Sequence, residues 1–293
     1  MRRLRTIYAK SLLTTSSHKW VRAAFRGLIA DPLAEISKTA GIEFPRKPSD
    51  STFASVLMMA SYLAGFHERE VIRTYSQILK PGMIAVDVGA HGGYHTVRFS
   101  KLVEPHGRVI AFEPSRDSFA ALVRNVNRKG ISNVRTEQAA IWNQRGMIEL
   151  FSGATSAGNS VVIPRAESHR VRSISLDEYF EGNKIGTPNL VKIDVEGAEV
   201  AVLEGMEGLI KSSPGITVII EFFPKVLVAG GFEPHQLLDD LKQLGFKVYE
   251  IRPSGKPLQI DRFGDSTNFA EEVSKRVRKI GEAPMVNLLC ARD

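Results

Sequence analysis

Acidic side chains at the ends of apolar runs are the chemistry this chain offers first. Asp87 stands in Ala85-Val86-Asp87-Val88-Gly89-Ala90-His91-Gly92-Gly93-Tyr94, where an apolar run opens into glycines. Glu113 closes a second run twenty-four residues after Gly89 and is followed by Pro114. Asp194 and Glu196 close a third in Val191-Lys192-Ile193-Asp194-Val195-Glu196-Gly197-Ala198-Glu199, and Glu221 closes a fourth. A strand that feeds glycines into a helix lets the backbone approach a ligand closely and presents helix N–H groups to it. The dinucleotide pattern G-x-G-x-x-G is absent, and D-x-G-x-x-x-G stands in its place. An acid at Asp87 repels a pyrophosphate but suits a ligand with an ammonium group and no phosphate. S-adenosylmethionine is such a ligand. A carboxylate at Glu113 is placed to accept hydrogen bonds from both hydroxyls of its ribose.

Each acid also has a plainer reading: a helix N-cap, a helix-dipole acid, or a salt-bridge partner for Lys192. What argues against four plain readings at once is the order of the elements. Ile84 and its neighbours from Met83 to Val88, then Arg108–Phe112, Asn133–Ile141, Asn189–Ile193 and Ile216–Ile220 read as strands. Helices are expected at about 93–103, 115–129 and 198–211 between them, with another at Pro234–Leu244 before a strand at Phe246–Ile251. This alternation predicts βαβ units and a parallel sheet. Ligands of such sheets bind beyond the carboxyl ends of the strands. Asp87, Glu113, Asp194 and Glu221 would then ring one crevice. Residues 143–188 break the rhythm with turn residues and short β-like pieces (Met147–Phe151, Ser160–Ile163, Val171–Leu176), so a β-rich insertion is expected there. Residues 252–284 are polar and read as irregular, and Met285–Ala291 reads as a last strand.

The chain resembles the FkbM family of S-adenosylmethionine-dependent methyltransferases from about Phe66 to Ile251. The resemblance rests on "LKPGMIAVDVGAHGGYHT", "VIAFEPS", "EQAAIWNQRGMIEL", "SISLDEYF", "LVKIDVEGAEVAVLEGM" and "VIIEFFP". One departure is His91, where the family usually carries Asn. The resemblance implies a class I methyltransferase, Rossmann-like α/β fold. Its seven-stranded sheet is mostly parallel, with an antiparallel last strand and helices on both faces. It implies that Asp87, Gly89, Ala90 and Gly93 hold the methionine portion of the cofactor and Glu113 the ribose. Gln138, Ala139 and Ala140 would border the adenine. Lys192, Asp194 and Glu196 would face the methyl and the acceptor, a hydroxyl of a glycan, lipid or secondary metabolite.

Methyl transfer to an alcohol is a displacement at carbon, served by positioning and electrostatics and helped by a general base. Asp194 and Glu196 lead as bases, with His91, His95 and His235 behind them. His91 and His95 are four apart and look like a metal pair, but no third ligand stands near them in sequence. Asp194 with Glu221 offers an alternative in which two carboxylates hold Mg²⁺ and polarise the acceptor oxygen. Met58 and Met59 read as packing, Cys290 as a small core residue, and Trp142 as either a pocket wall or part of a hairpin. Two other functions stay open at this level: a nicotinamide-dependent oxidoreductase and a non-catalytic protein that keeps the cofactor fold.

Composition bounds these readings. With 43% hydrophobic and 24% charged residues the chain reads as globular, and it has no eighteen-residue apolar run to span a membrane. A single cysteine excludes an internal disulfide and a cysteine-zinc cluster, which fits a cytoplasmic setting. Of the net charge of +7, residues 1–50 carry +6. The body is therefore nearly neutral, which argues against a nucleic-acid-binding face. The basic arm (1–50), with Trp20, Phe25 and Leu28 among its cations, reads as a packed helix, a transit-type peptide or a helix peripheral to a membrane. No secretory signal is expected in it. Residues 51–82 read as lead-in helices, and 83–293 as the catalytic domain.

Overall fold

The computed structural model describes residues 68–153, 159–276 and 284–292. The basic arm, Met58, Met59 and most of the lead-in segment lie outside the described residues. The described part begins with helix α1 (Arg69–Ile78), then β1 (Ile84–Val88), α2 (Tyr94–Val103), β2 (Arg108–Phe112), α3 (Arg116–Arg128) and β3 (Val134–Glu137). After a rim comes β7 (Leu190–Ile193), followed by α5 (Glu199–Glu204), α6 (Glu207–Ser212), β8 (Thr217–Phe222), α7 (Pro224–Ala229), α8 (Pro234–Gln243) and β9 (Lys247–Ile251). The rim itself is β4 (Ala140–Ile141), β5 (Gly146–Phe151), β6 (Ser168–Ile174) and α4 (Leu176–Asn183). The chain closes with β10 (Leu258–Gln259), a short 3₁₀ turn, α9 (Ser266–Lys275) and β11 (Val286–Ala291).

The main sheet runs β10-β9-β11-β8-β7-β1-β2-β3. Strands β3, β2, β1, β7 and β8 pair in parallel, and β11 is antiparallel to both β8 and β9. Seven of these strands make the class I methyltransferase order. The eighth, β10, is a two-residue edge strand antiparallel to β9, one more than expected. The strands read as near-continuous apolar runs because both faces of the sheet are covered. Ala85, Val109, Leu190 and Ile219 point into one cluster with Tyr75 of α1 and Phe99 of α2. Val86, Ile110, Val191 and Ile220 alternate into the other, with Val202 of α5, Leu237 of α8 and Phe269 of α9. One residue of register therefore separates the two halves of the core.

Several boundaries differ from expectation, each for a local reason. The run 133–141 splits, because β4 leaves the main sheet to pair with β6 in a three-stranded rim sheet, order β4-β6-β5. Of 160–163 only an isolated bridge, Phe151 to Ser160, is strand-like. Helix α4 was hidden inside the β-rich stretch. Ser175 caps it, its hydroxyl accepting from the Glu178 N–H at 3.1 Å. The single helix expected over 198–211 breaks into α5 and α6 at Gly205. The Trp142 carbonyl passes so close there that a Cβ would lie 2.2 Å from its oxygen. Asp177 of α4 then accepts from the N–H groups of Gly208 and Leu209 at 2.9 and 2.6 Å, satisfying the new N-terminus. Residues 258–275 form a short strand, a 3₁₀ turn and a helix rather than irregular chain; Asp265 caps α9 by accepting from Asn268 N–H at 2.7 Å.

Candidate active site

Strand β1 lies between β2 and β7, so the chain departs to opposite sides of the sheet at its carboxyl end. A cavity of about 280 Å³ opens there, just below the usual range for ligand sites. Gly89, Glu113, Ala139, Ala140 and Ile141 line one end, and Asp194, Glu196, Glu221 and Glu68 the other. Leu150, Asn159 and Val161 of the rim close it from above.

Gly89 has φ +83°, and a Cβ there would lie 1.8 Å from the Asp194 carbonyl oxygen. Only glycine lets the β1 and β7 ends come this close. Its N–H and that of Ala90 both donate to Phe112 O at 3.0 Å, which ties the turn to β2. His91 follows in the left-handed region at φ +49°, a conformation that Asn, Asp and His tolerate better than other side chains. The His91 N–H donates to Glu113 Oε2 at 2.8 Å, and the Ser115 N–H donates to Oε1 at 2.9 Å. Burial raises the Glu113 carboxyl from its ordinary 4.5 to about 7, while these two N–H groups pull the other way. Each oxygen can accept a further hydrogen bond, and the residue lines the cavity.

Asp87 lies behind this wall. Thr96 Oγ1 donates to its Oδ2 at 2.5 Å, while Oδ1 is buried without a hydrogen-bond partner. Ala90 packs with Leu122 and Val126, and Gly93 caps α2 against Leu122. Gln138 is exposed and does not line the cavity, so Ala139, Ala140 and Ile141 form that wall.

At the acid end Lys192 is 2% exposed and its Nζ lies 2.8 Å from Asp194 Oδ2. Burial opposes its charge, yet Asp194, Glu68 and Asp87 together hold its ammonium above the ordinary lysine range. Lys192 thus supports Asp194 from below rather than lining the cavity. Glu196 has φ +55° and precedes Gly197 at +101°. Ser160 Oγ of the rim donates to the Glu196 carbonyl at 2.7 Å and holds this loop. Glu199 is buried and accepts from the Val195 and Gly197 N–H groups at 3.3 and 3.2 Å.

Domain comparison agrees with this geometry: residues 87–248 match the methyltransferase FkbM domain. The chain belongs to the FkbM methyltransferase family. It is similar to the hexuronic acid methyltransferase AglP of Haloferax volcanii, 30% identical over 145 residues that cover 50% of this chain and 59% of that protein. Methyltransferase 1 of Beauveria bassiana is 25% identical over 144 residues, covering 42% and 57%. The chain spans about six-tenths of the length of these curated relatives. A SAM-dependent methyltransferase structure from Aquifex aeolicus overlaps 78% of this chain and 92% of its own, with a TM-score of 0.39 and 15% identity. Among the described residues no helix is long and apolar enough to cross a membrane.

Within this FkbM domain the histidines divide. His91 lines the cavity. His95 is buried, with Nε2 2.7 Å from Glu68 Oε2 and Nδ1 3.3 Å from the Tyr75 hydroxyl, and His235 lies on α8 away from the cavity. Among the described residues neither His91 nor His95 belongs to a group of three or more potential metal ligands. The ligand atoms that do gather, within 4.8 Å of one another, belong to Glu68, Asp194 and Glu221. Glu68 had no signal in the sequence: it precedes the matched domain and ends no apolar run. Cys290 is a buried residue of β11, and Trp142 serves the α5–α6 break rather than the cavity.

Proposed function

We propose that the protein transfers the methyl group of S-adenosylmethionine to a hydroxyl oxygen, with a sugar hydroxyl as the acceptor class. The observation that carries this reading is the division of the cavity into an end with Glu113 and small apolar residues and an end with Asp194 and Glu196. The residues fit the cofactor. Glu113 would accept from the ribose hydroxyls, and Ala139, Ala140 and Ile141 would border the adenine. The backbone at Gly89 would approach the methionine portion, and Asp87, Ala90 and Gly93, which do not line the cavity, would shape the turn behind it. When bound, S-adenosylmethionine supplies a methyl group on a cationic sulfur that departs as a neutral thioether. Asp194 or Glu196 takes the proton that the acceptor hydroxyl sheds as its oxygen bonds the methyl carbon. The left-handed Glu196 is a strained side chain at the cavity, the kind of position that strain marks as functional.

Similarity to a hexuronic acid methyltransferase makes uronic-acid glycans the first acceptors to try. The purified protein is incubated with S-adenosylmethionine and a panel of uronic-acid glycans, neutral sugars, hydroxylated lipids and aliphatic or phenolic alcohols. Mass spectrometry should find the gain of one methyl group on a sugar hydroxyl. Binding of NAD in place of S-adenosylmethionine in calorimetry, or methylation of none of these classes, defeats the reading.

A further inference from the structure

Glu221 ends β8 with its side chain 7% exposed, aimed into the cavity, and among the described residues it makes no hydrogen bond or ion pair. A carboxylate so buried and unpaired is costly unless something cationic meets it. The groups facing it make the cost larger, since Glu68 and Asp194 each bring an oxygen to within 4.8 Å of the others. Among the described residues the nearby cations and donors pair with the other two acids. Lys192 Nζ pairs with Asp194, His95 Nε2 with Glu68, and Asn287 Nδ2 donates to Glu68 Oε1 at 3.5 Å.

We propose that Glu68, Asp194 and Glu221 form a binding site for one hard divalent cation, Mg²⁺ or Mn²⁺, at the acid end of the cavity. An all-oxygen, carboxylate-rich set selects that class over softer metals. Three protein ligands leave coordination positions open toward the cavity, where water or an acceptor oxygen can complete the shell. The supports behind the ligands are of the kind that orient a metal site. His95 and the Tyr75 hydroxyl stand behind Glu68, and Lys192 stands behind Asp194. Glu68 comes from outside the segment 87–248 that matches the family domain, so the site is completed by this chain's own lead-in. Resting on the methyl-transfer reading, the cation would orient the acceptor hydroxyl and polarise its oxygen for attack.

The test uses the full chain, stripped with chelator and dialysed, with Mn²⁺ as the probe and neither cofactor nor acceptor present. Electron paramagnetic resonance of free Mn²⁺ should reveal one site per chain that Mg²⁺ displaces. Glu221→Gln should weaken it by about tenfold or more, because affinity follows ligand charge, with the circular dichroism spectrum unchanged. Should that variant fail to fold, Glu68→Gln carries the same expectation. Absence of a stoichiometric site in the wild type, or equal affinity in the folded variants, overturns the proposal. S-adenosylhomocysteine affinity and methyl transfer are measured in parallel. Mn²⁺ bound without either sinks the methyl-transfer reading and leaves the cation site, and both present without Mn²⁺ binding sinks the cation site alone.

Discussion

The buried ammonium of Lys192 lies 2.8 Å from Asp194, two residues further along the same strand end, where the carboxylate is 28% exposed. One member of the pair is enclosed in the sheet and the other reaches the cavity. Such an arrangement fixes a charged oxygen at the site without giving the ligand access to the cation.

Asp194→Asn should therefore act twice. Turnover should fall by about 10²-fold if the charge serves as base or ligand. Unfolding free energy should also fall by about 1–3 kcal/mol as Lys192 loses a charged hydrogen-bond partner. Adding Lys192→Met to Asp194→Asn should recover part of the stability and none of the turnover, since the double variant no longer buries an ammonium without its Asp194 partner. Chemical denaturation and steady-state kinetics of the four proteins check this. Additive losses in stability would refute the coupling.

Glu113 predicts a pH dependence. Its folded carboxyl stands raised from 4.5 to about 7. The native state thus holds the proton more tightly than the unfolded chain, and the group lowers stability as pH rises from about 4.5 to 7. Ribose hydroxyls are donors and need the ionised form. Affinity for adenosine, which keeps the ribose and lacks the methionine amine, should rise as pH passes through about 7 and level off above it. Glu113→Gln should flatten that slope, and Glu113→Ala should weaken cofactor binding by about 1–3 kcal/mol. Calorimetry across pH decides it, and an unchanged slope in the Gln variant would remove Glu113 from the ribose site.

Gly89→Ala would place a methyl 1.8 Å from the Asp194 carbonyl oxygen at φ +83°. A loss of at least about 2 kcal/mol is expected, together with loss of cofactor binding, because both strand ends must separate. A melting temperature equal to the wild type would contradict the close approach.

Ser160 offers a test of the rim as a positioning element. Its hydroxyl donates to the Glu196 carbonyl and accepts from the Val162 and Ile163 N–H groups at 3.2 Å. Ser160→Ala should lower kcat several-fold while cofactor affinity stays unchanged, and Ser160→Thr should restore part of it. Equal changes in both parameters would mean that the rim merely holds the fold.

The strands and the acids at their ends were legible because buried parallel strands leave continuous apolar runs, and the polar residue that ends each run marks the ligand edge. The rim was harder. Ser175 and Glu178 bracket a cap that announces α4, but the surrounding turn residues masked it, and the α5–α6 break depends on Trp142, distant in sequence from Gly205. Residues 258–275 escaped notice because α9 buries only a narrow face, Phe269, Ala270 and Val273. Gln138 and Glu68 mark the limit of spacing arguments. Which side of a short segment faces a cavity, and which acid from a preceding helix reaches it, are set by packing alone.

Ser160 also has a thermal consequence. The rim sheet is small and Ser160 ties it to the Glu196 loop, whereas the main sheet is buried on both faces. Local opening begins in the least buried unit. When the rim detaches, Glu196 loses its alignment at the same instant, so warming should inactivate the protein reversibly at temperatures where its sheet is still intact.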